Sequence, residues 1–155
     1  MAGSSANADR EIVIERTVNA PRELVWRAWT EAEQIVKWWG PNGFTTTIHE
    51  MSVRVDGVWR FIMHGPDGKD YPNKVVYREI VKPERLVYDH SDDDNGRDIF
   101  KSTVTFVAQG SKTKVTLRAR LPSKAARDAA AKYAIDGGNQ TLARLDQHLA
   151  TMSAV

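Results

Sequence analysis

The feature that most constrains the fold is a long series of short apolar–polar alternations separated by tight-turn signals. It runs from Phe44 to Phe106 and continues into a further alternating segment. Such alternation is typical of half-buried strands, and Asn-Gly or Asp-Gly pairs are typical of hairpin turns. Because strands joined by tight turns pair antiparallel, the pattern predicts an antiparallel meander. The turn signals are Asn42-Gly43, Asp56-Gly57, Pro66-Asp67-Gly68, Asn95-Gly96 and Gln109-Gly110.

The apolar residues of each predicted strand share one parity and therefore one face of the sheet. Parity changes between Ile48 and Met51, which predicts a β-bulge near His49–Glu50. The residues that share the inward face are Trp59, Phe61 and Met63; Val75 and Tyr77; Leu86, Tyr88 and His90; Phe100, Val104 and Phe106; and Val115, Leu117 and Ala119.

A strand and two short helices precede the meander. Residues 11–18 alternate as a strand does, and residues 24–29 have helical spacing. Asn19 is a good helix cap, and Pro21 suits a first helical turn. A second helical piece is predicted over residues 31–37, and it ends before Gly40-Pro41.

Residues 122–150 return to a helical period, which predicts one helix over most of residues 124–149. An antiparallel sheet can leave one face wet, but its other face needs a cover. The C-terminal helix is the element long enough to supply that cover. The predicted fold is therefore α+β, a curved antiparallel sheet in the order β-αα-β6-α wrapped around this helix. The helical stripe is Ala126, Ala130, Tyr133, Gly137, Thr141, Leu145 and Leu149, widened by Leu142.

Length and composition limit the function classes. With 155 residues the chain fits one domain, which we place at residues 10–152 after a disordered tail over residues 1–9. The absence of cysteine excludes disulfides and thiolate chemistry. No signal peptide and no apolar run of ~20 residues is present, so we expect a cytoplasmic protein without membrane contact. The net charge of +2 is spread over scattered bases, which argues against a nucleic-acid partner.

The element order resembles the START-like (SRPBCC, helix-grip) superfamily, and several short motifs are similar to the activator of heat-shock-protein-90 ATPase homologue-like family within it. This resemblance spans nearly the whole chain after residue 9, and it implies an apolar cavity between the sheet and the long helix. The motifs are Asn19-Ala-Pro21 with Val25-Trp26, Lys37–Pro41, Val55–Phe61, Gly65–Gly68, Glu79–Val87 and Gln140–Leu145.

Given that implied cavity, inward-facing residues become candidate ligand-binding residues as well as candidate core. On the residues alone, an ordinary filled core is the default. Gly137-Gly138 either leaves room opposite the sheet or is a tolerated irregularity of the helix. The candidate ligand-binding residues are Trp39, Phe44, Trp59, Phe61, Met63, Tyr77, Tyr88, His90, Tyr133, Gly137, Gly138 and Thr141.

The titratable residues do not form a recognisable catalytic or metal motif. The four histidines lack ligand spacing, so we expect no metal and no cofactor. Asp92-Asp93-Asp94-Asn95-Gly96 lacks the acidic residues that an EF-hand requires at both ends of its loop, and we interpret it as a hairpin tip. His90 either enters the cavity as a polar group or lies near solvent at the end of its strand.

Three functions follow from these observations. The first is a binding protein for a small hydrophobic or aromatic molecule. The second is an enzyme of the cyclase/dehydratase kind, acting on a polyketide-like or aromatic substrate through Tyr88 or His90. The third, taken from the family name, is a chaperone ATPase cofactor, although the chaperone activator carries an additional N-terminal region and only eight or nine residues precede the first strand here. Whether the protein is a homodimer is left open.

Overall fold

The structure is a computed structural model that describes residues 9–92 and 100–152. Seven strands occur in these ranges and form one antiparallel sheet in the order β1-β7-β6-β5-β4-β3-β2. The predicted tail falls almost entirely outside the described residues, as does the Asn95-Gly96 turn. The strands are β1 Glu11–Val18, β2 Thr45–Met51, β3 Val58–His64, β4 Asp70–Val81, β5 Arg85–Ser91, β6 Phe100–Gln109 and β7 Lys112–Arg120; the helices are α1 Arg22–Thr30, α2 Ala32–Ile35 and α3 Lys124–Leu149.

The curved sheet and its long C-terminal helix confirm the predicted α+β helix-grip fold. The predicted bulge is also present, because the pairing of β2 with β3 shifts between Ile48 and Glu50. A second shift, between Tyr77 and Glu79 in the pairing of β4 with β5, was not predicted. An extra residue on one strand bends that strand and increases its twist, so the two bulges help the sheet to curve.

The entry to the first helix differs from the prediction. Asn19 does not cap α1; Pro21 occupies the N-cap position with ψ 155°, and its carbonyl accepts from Leu24 N at 3.0 Å. The backbone N–H of Asn19 instead donates to Asp146 Oδ1 at 3.0 Å. Asn19 therefore connects the segment before α1 to α3 and does not cap α1. The second helix is shorter than predicted and spans only Ala32–Ile35.

Helix α3 has the predicted length and runs unbroken through Gly137-Gly138. The Ser123 side chain caps it by accepting from Ala126 N at 3.1 Å. Leu142, Leu145 and Leu149 of the predicted stripe are buried. Tyr133 was also assigned to that stripe but is 72% exposed, because the N-terminal half of α3 packs less closely on the sheet than the C-terminal half.

All five tryptophans are buried in one aromatic cluster between the sheet and helices α1 and α2. The indole rings meet edge to face, as in the Trp29–Trp38 pair with centroids 4.9 Å apart. The indole N–H of Trp38 donates to Ala28 O at 3.1 Å, which fixes the chain after α2 against α1. Among the described residues, no helix is both long and apolar enough to cross a membrane.

Candidate ligand cavity

A cavity of about 300 Å³ lies between helix α3 and one part of the sheet, and it is partly open to solvent. Strands β1, β5, β6 and β7 supply most of its floor, α3 supplies its roof, and the segment after α2 closes one side. The lining is almost entirely apolar. Its residues are Ile12, Ile14, Trp39, Gly40, Pro41, Met63, Tyr88, His90, Phe100, Ser102, Leu117, Ala119, Tyr133, Ala134, Gly137, Gly138 and Thr141.

Eight of the residues proposed from the sequence line this cavity, and four do not. Trp59, Phe61 and Tyr77 are almost completely buried in the core beside it, and Phe44 packs against the ring of Tyr71 with centroids 6.0 Å apart. The eight on the wall are Trp39, Met63, Tyr88, His90, Tyr133, Gly137, Gly138 and Thr141.

The aromatic cluster explains why inward-facing rings of β3 do not reach the cavity. Trp59 stacks on Phe61 with centroids 4.1 Å apart, and Trp39 meets Trp59 edge to face at 5.1 Å. Trp39 therefore separates two regions, with the filled core on one side and the cavity on the other. An inward-facing position borders the cavity only where α3, rather than the aromatic cluster, lies opposite it.

Several lining residues were not proposed as site residues, although the sequence contained a signal for some of them. Ile12 and Ile14 belong to the apolar face of β1, and Ser102 lies between Phe100 and Val104 on the inward face of β6. Their parity could have identified them. Gly40, Pro41 and Ala134 have no such signal, because only the folded chain brings the turn after α2 against helix α3.

The paired glycines of α3 permit close approach rather than leaving open space. A Cβ on Gly138 would lie 2.1 Å from Ile14 Cδ1, and one on Gly137 would lie 3.3 Å from Pro41 Cγ. The first distance is too short for a real contact, but Cδ1 is the far end of the flexible Ile14 side chain, which can move aside. The backbone of α3 therefore lies close to β1 at Gly138, on one edge of the cavity.

Hydrogen bonds hold the opposite edge of the cavity. Arg144 Nη1 on α3 donates to the carbonyl oxygens of Gly40 at 2.8 Å and Pro41 at 3.0 Å. Nearby, the backbone N–H of Asn42 donates to Gln140 Oε1 at 3.0 Å. Burial lowers the pKa of Arg144, but the guanidinium remains a cation because its ordinary pKa is far above neutrality. The segment after α2 is therefore fastened to the helix by a charged donor.

Tyr88 and Ser102 form a polar pair on the cavity wall. They face each other across β5 and β6, their hydroxyls are hydrogen-bonded, and each residue is 2% exposed. Burial raises the pKa of Tyr88 well above its usual range, and the hydrogen bond with Ser102 opposes that rise in part. Burial also raises the pKa of Tyr77, followed by a smaller effect of Tyr88. Both phenols are neutral at physiological pH.

The ring of His90 lines the cavity instead of pointing into bulk solvent. Its Nε2 lies 2.8 Å from Asn73 Oδ1, and its ring centroid is 4.7 Å from that of Phe100. The residue keeps some accessible surface because it borders the cavity. Burial lowers the pKa of His90 from 6.5 to about 4, so the imidazole is neutral at physiological pH.

Among the described residues, no three histidine or acidic side chains converge as a metal site requires. The absence of a metal or cofactor remains a prediction. The described cavity lining also contains no aspartate, glutamate, lysine or arginine. The cavity can therefore enclose an apolar ligand and offer it neutral hydrogen-bonding groups at Tyr88, Ser102 and His90.

Comparison with known proteins places the fold among solved structures. A protein from Arthrobacter aurescens superposes with a TM-score of 0.84 at 22% identity, covering 94% of this chain and 89% of that one. Proteins from Nitrosomonas europaea (TM-score 0.81, 22% identity, 93% and 96% covered) and Chromobacterium violaceum (0.79, 24%, 90% and 96%) are also similar. At these identities the likeness establishes the fold alone. A search of curated proteins found no significant match.

The family comparison is more specific than the structural likeness. A model of the family described as Activator of Hsp90 ATPase homolog 1-like protein matches residues 19–150. The matched region includes helices α1 and α2, strands β2–β7 and the whole of α3. Because the match extends over most of the chain, this protein belongs to the Activator of Hsp90 ATPase homolog 1-like protein family.

Proposed function

We propose that the protein binds a small hydrophobic or aromatic molecule in the cavity between the sheet and α3. The observation that carries this proposal is an apolar cavity of about 300 Å³ bordered by Trp39, Phe100 and Leu117. Cavities of this size and lining are typical of small-molecule sites. An empty apolar cavity forfeits dispersion contacts of the atoms around it, and an apolar ligand restores those contacts.

The electrostatics of the described wall favour a neutral ligand. Its titratable groups, His90, Tyr88 and Tyr133, contribute no acidic or strongly basic side chain. An ionised ligand would lose its hydration on entry without gaining an opposite charge, and that loss is costly. The proposal therefore excludes anionic and cationic molecules as preferred ligands.

A dye-binding experiment with a cavity-filling variant tests the proposal. N-phenyl-1-naphthylamine, a neutral aromatic dye, should bind the purified protein with saturable stoichiometry and quench emission from Trp39, which lines the cavity. Ala134→Leu places three extra carbons on the cavity wall and should weaken binding at least about tenfold, which corresponds to about 1.4 kcal/mol. Native mass spectrometry of freshly purified protein would show whether a small molecule already occupies the site.

The matched control is Ala129→Leu, which makes the same change at an exposed position of the same helix. It should leave dye binding unchanged. If the dye fails to bind the wild-type protein, or if both variants bind it equally well, the cavity is not a ligand site and the proposal is wrong.

A second candidate is an enzyme of the cyclase/dehydratase kind. It is favoured by one observation, the neutral imidazole of His90 near the Tyr88–Ser102 pair on the wall of an apolar cavity. A neutral imidazole can accept a proton, and a phenol can donate one. A pH-dependent turnover that is abolished by His90→Phe or Tyr88→Phe, with dye binding retained, would support this function over simple binding.

A chaperone-cofactor role rests on the family description alone. A pull-down of Hsp90 with the full chain tests this role directly, and stable capture with stimulated ATP hydrolysis would favour it over the binding proposal.

A further inference from the structure

The hydrogen bonds around His90 determine which of its ring nitrogens carries the proton. Asn73 Nδ2 donates to the backbone carbonyl of Tyr71 at 2.8 Å, and a carbonyl can only accept. The amide orientation of Asn73 is therefore fixed, and its Oδ1 faces His90 Nε2 at 2.8 Å. Because Oδ1 also can only accept, Nε2 must carry the hydrogen.

In the neutral imidazole, a proton on Nε2 leaves a bare lone pair on Nδ1. No hydrogen bond to Nδ1 of His90 is found among the described residues. The described ring neighbours are Phe61, Tyr88 and Phe100, with centroids 5.9, 6.4 and 4.7 Å away. Two of these three rings have no hydrogen-bonding group. Nδ1 is thus an acceptor in an aromatic environment, and it retains accessible surface through which a ligand's donor can reach it.

Apart from Tyr133, which is 72% exposed and can bond to water, the other polar side chains of the described wall have a hydrogen-bond partner within the protein. Tyr88 and Ser102 bond to each other, and Thr141 Oγ1 donates to Gly137 O at 2.9 Å. Among Tyr88, Ser102, Thr141 and His90, therefore, His90 is the side chain with an acceptor atom, Nδ1, that makes no hydrogen bond within the described part of the protein. This distinguishes what the cavity can recognise from the general preference for apolar molecules.

We propose that the ligand of this cavity is a neutral aromatic or alicyclic molecule with one hydroxyl or N–H group that donates to His90 Nδ1. The inference rests on the proposed binding function and narrows it to a chemical class. A carboxylate has no proton to donate, and it would meet the lone pair of Nδ1 with its own. Phenols, alcohols and neutral N–H compounds therefore form the preferred class.

Three naphthalene probes of similar size separate donor from non-donor ligands at pH 7. They are 2-naphthol, which donates; 2-methoxynaphthalene, which cannot; and 2-naphthoate, which is anionic. One hydrogen bond should make 2-naphthol bind about 3- to 10-fold more tightly than the methyl ether in isothermal titration calorimetry. The carboxylate should bind most weakly.

His90→Phe removes the acceptor while keeping an aromatic ring on the wall. It should reduce the preference for 2-naphthol over the methyl ether to less than about twofold, with little change for the methyl ether. His49→Phe, at an exposed position of β2, is the matched control and should keep the full preference.

The His90→Phe variant leaves Asn73 Oδ1 without its partner and could therefore fold poorly. A measurement on the wild-type protein tests the inference independently of that variant. Imidazole nitrogen NMR should show the Nε2–H tautomer, and Nδ1 should shift when 2-naphthol is added but not when the methyl ether is added.

The possible results separate the two proposals. If neither 2-naphthol nor the methyl ether binds, both the binding function and this inference fail. If both bind equally and the Nδ1 resonance does not move, the proposed binding function stands, but the inferred preference for ligands that donate a hydrogen bond to His90 is wrong. Tightest binding of 2-naphthoate would also contradict that preference.

Discussion

Because His90 is buried in its neutral form, the free energy of unfolding should depend on pH by an amount that can be calculated. Burial lowers the pKa of His90 to about 4, against 6.5 for an exposed histidine. Between these values the unfolded chain binds a proton that the folded chain does not, so the free energy of unfolding falls as pH falls. For this one group, linkage gives a loss of about 2 kcal/mol between pH 7 and pH 4.5.

The assay is urea denaturation followed by tryptophan fluorescence at pH 7 and at pH 4.5, for wild-type protein and His90→Phe. All other groups are the same in both proteins, so their contributions cancel in the difference. The variant, which cannot bind this proton, should lose about 2 kcal/mol less than the wild-type protein on acidification. His49→Phe, the exposed control, keeps His90 and should therefore retain the loss that His90 causes. An equal loss in wild-type and His90→Phe would show that His90 is not held neutral by burial, and the tautomer argument would lose its basis.

Three further predictions concern the contacts that surround the cavity. Trp59→Ala should cost about 3–5 kcal/mol in urea denaturation, because Trp59 is 1% exposed in the filled core and not on the cavity wall; a cost below 2 kcal/mol would place it beside empty space. Gly138→Ala should change the free energy of unfolding by less than about 1 kcal/mol, because Ile14 Cδ1 can move away from the new Cβ and alanine favours the helix by about 1 kcal/mol. In an Ile14→Val background, which lacks that atom, the same change should be stabilising in thermal denaturation; a cost of about 2 kcal/mol or more in either background would contradict a movable Ile14 side chain. Arg144→Met should cost about 1–3 kcal/mol through loss of its two bonds to backbone carbonyls, whereas Arg16→Met, which removes an exposed ion pair, should cost less than about 1 kcal/mol; equal costs would argue against a role for Arg144 in fastening the segment after α2.

Much of the fold could be predicted because its signals are local. Alternating runs and turn dipeptides mark the strands, and parity identifies their inward faces. The change of parity between Ile48 and Met51 predicted the first bulge, which the pairing confirms. The second bulge had the same kind of signal, since Tyr77 and Ile80 differ in parity while both contribute to the buried side.

The candidate site could be predicted only in part, because the sequence identifies faces but not what lies opposite them. Tyr77 and Tyr88 share the inward face and are cross-strand partners. Yet Tyr88 borders the cavity and Tyr77 does not. The difference depends on where the aromatic cluster ends and where α3 begins, and both are set by contacts between residues far apart in the chain. His90 shows the same limit, since its tautomer depends on Asn73 of the neighbouring strand.

Two contacts at the edges of the cavity connect helix α3 to the rest of the protein. On one edge the backbone of α3 at Gly138 lies close to the end of the Ile14 side chain of β1. On the other edge Arg144 fastens the helix to the carbonyls of Gly40 and Pro41. We expect the bonds of Arg144 to hold this part of the helix in place, so that their loss changes stability and binding together. Substitutions at wall positions without such bonds, such as Ala134→Leu, should alter which molecule fits at little cost to folding.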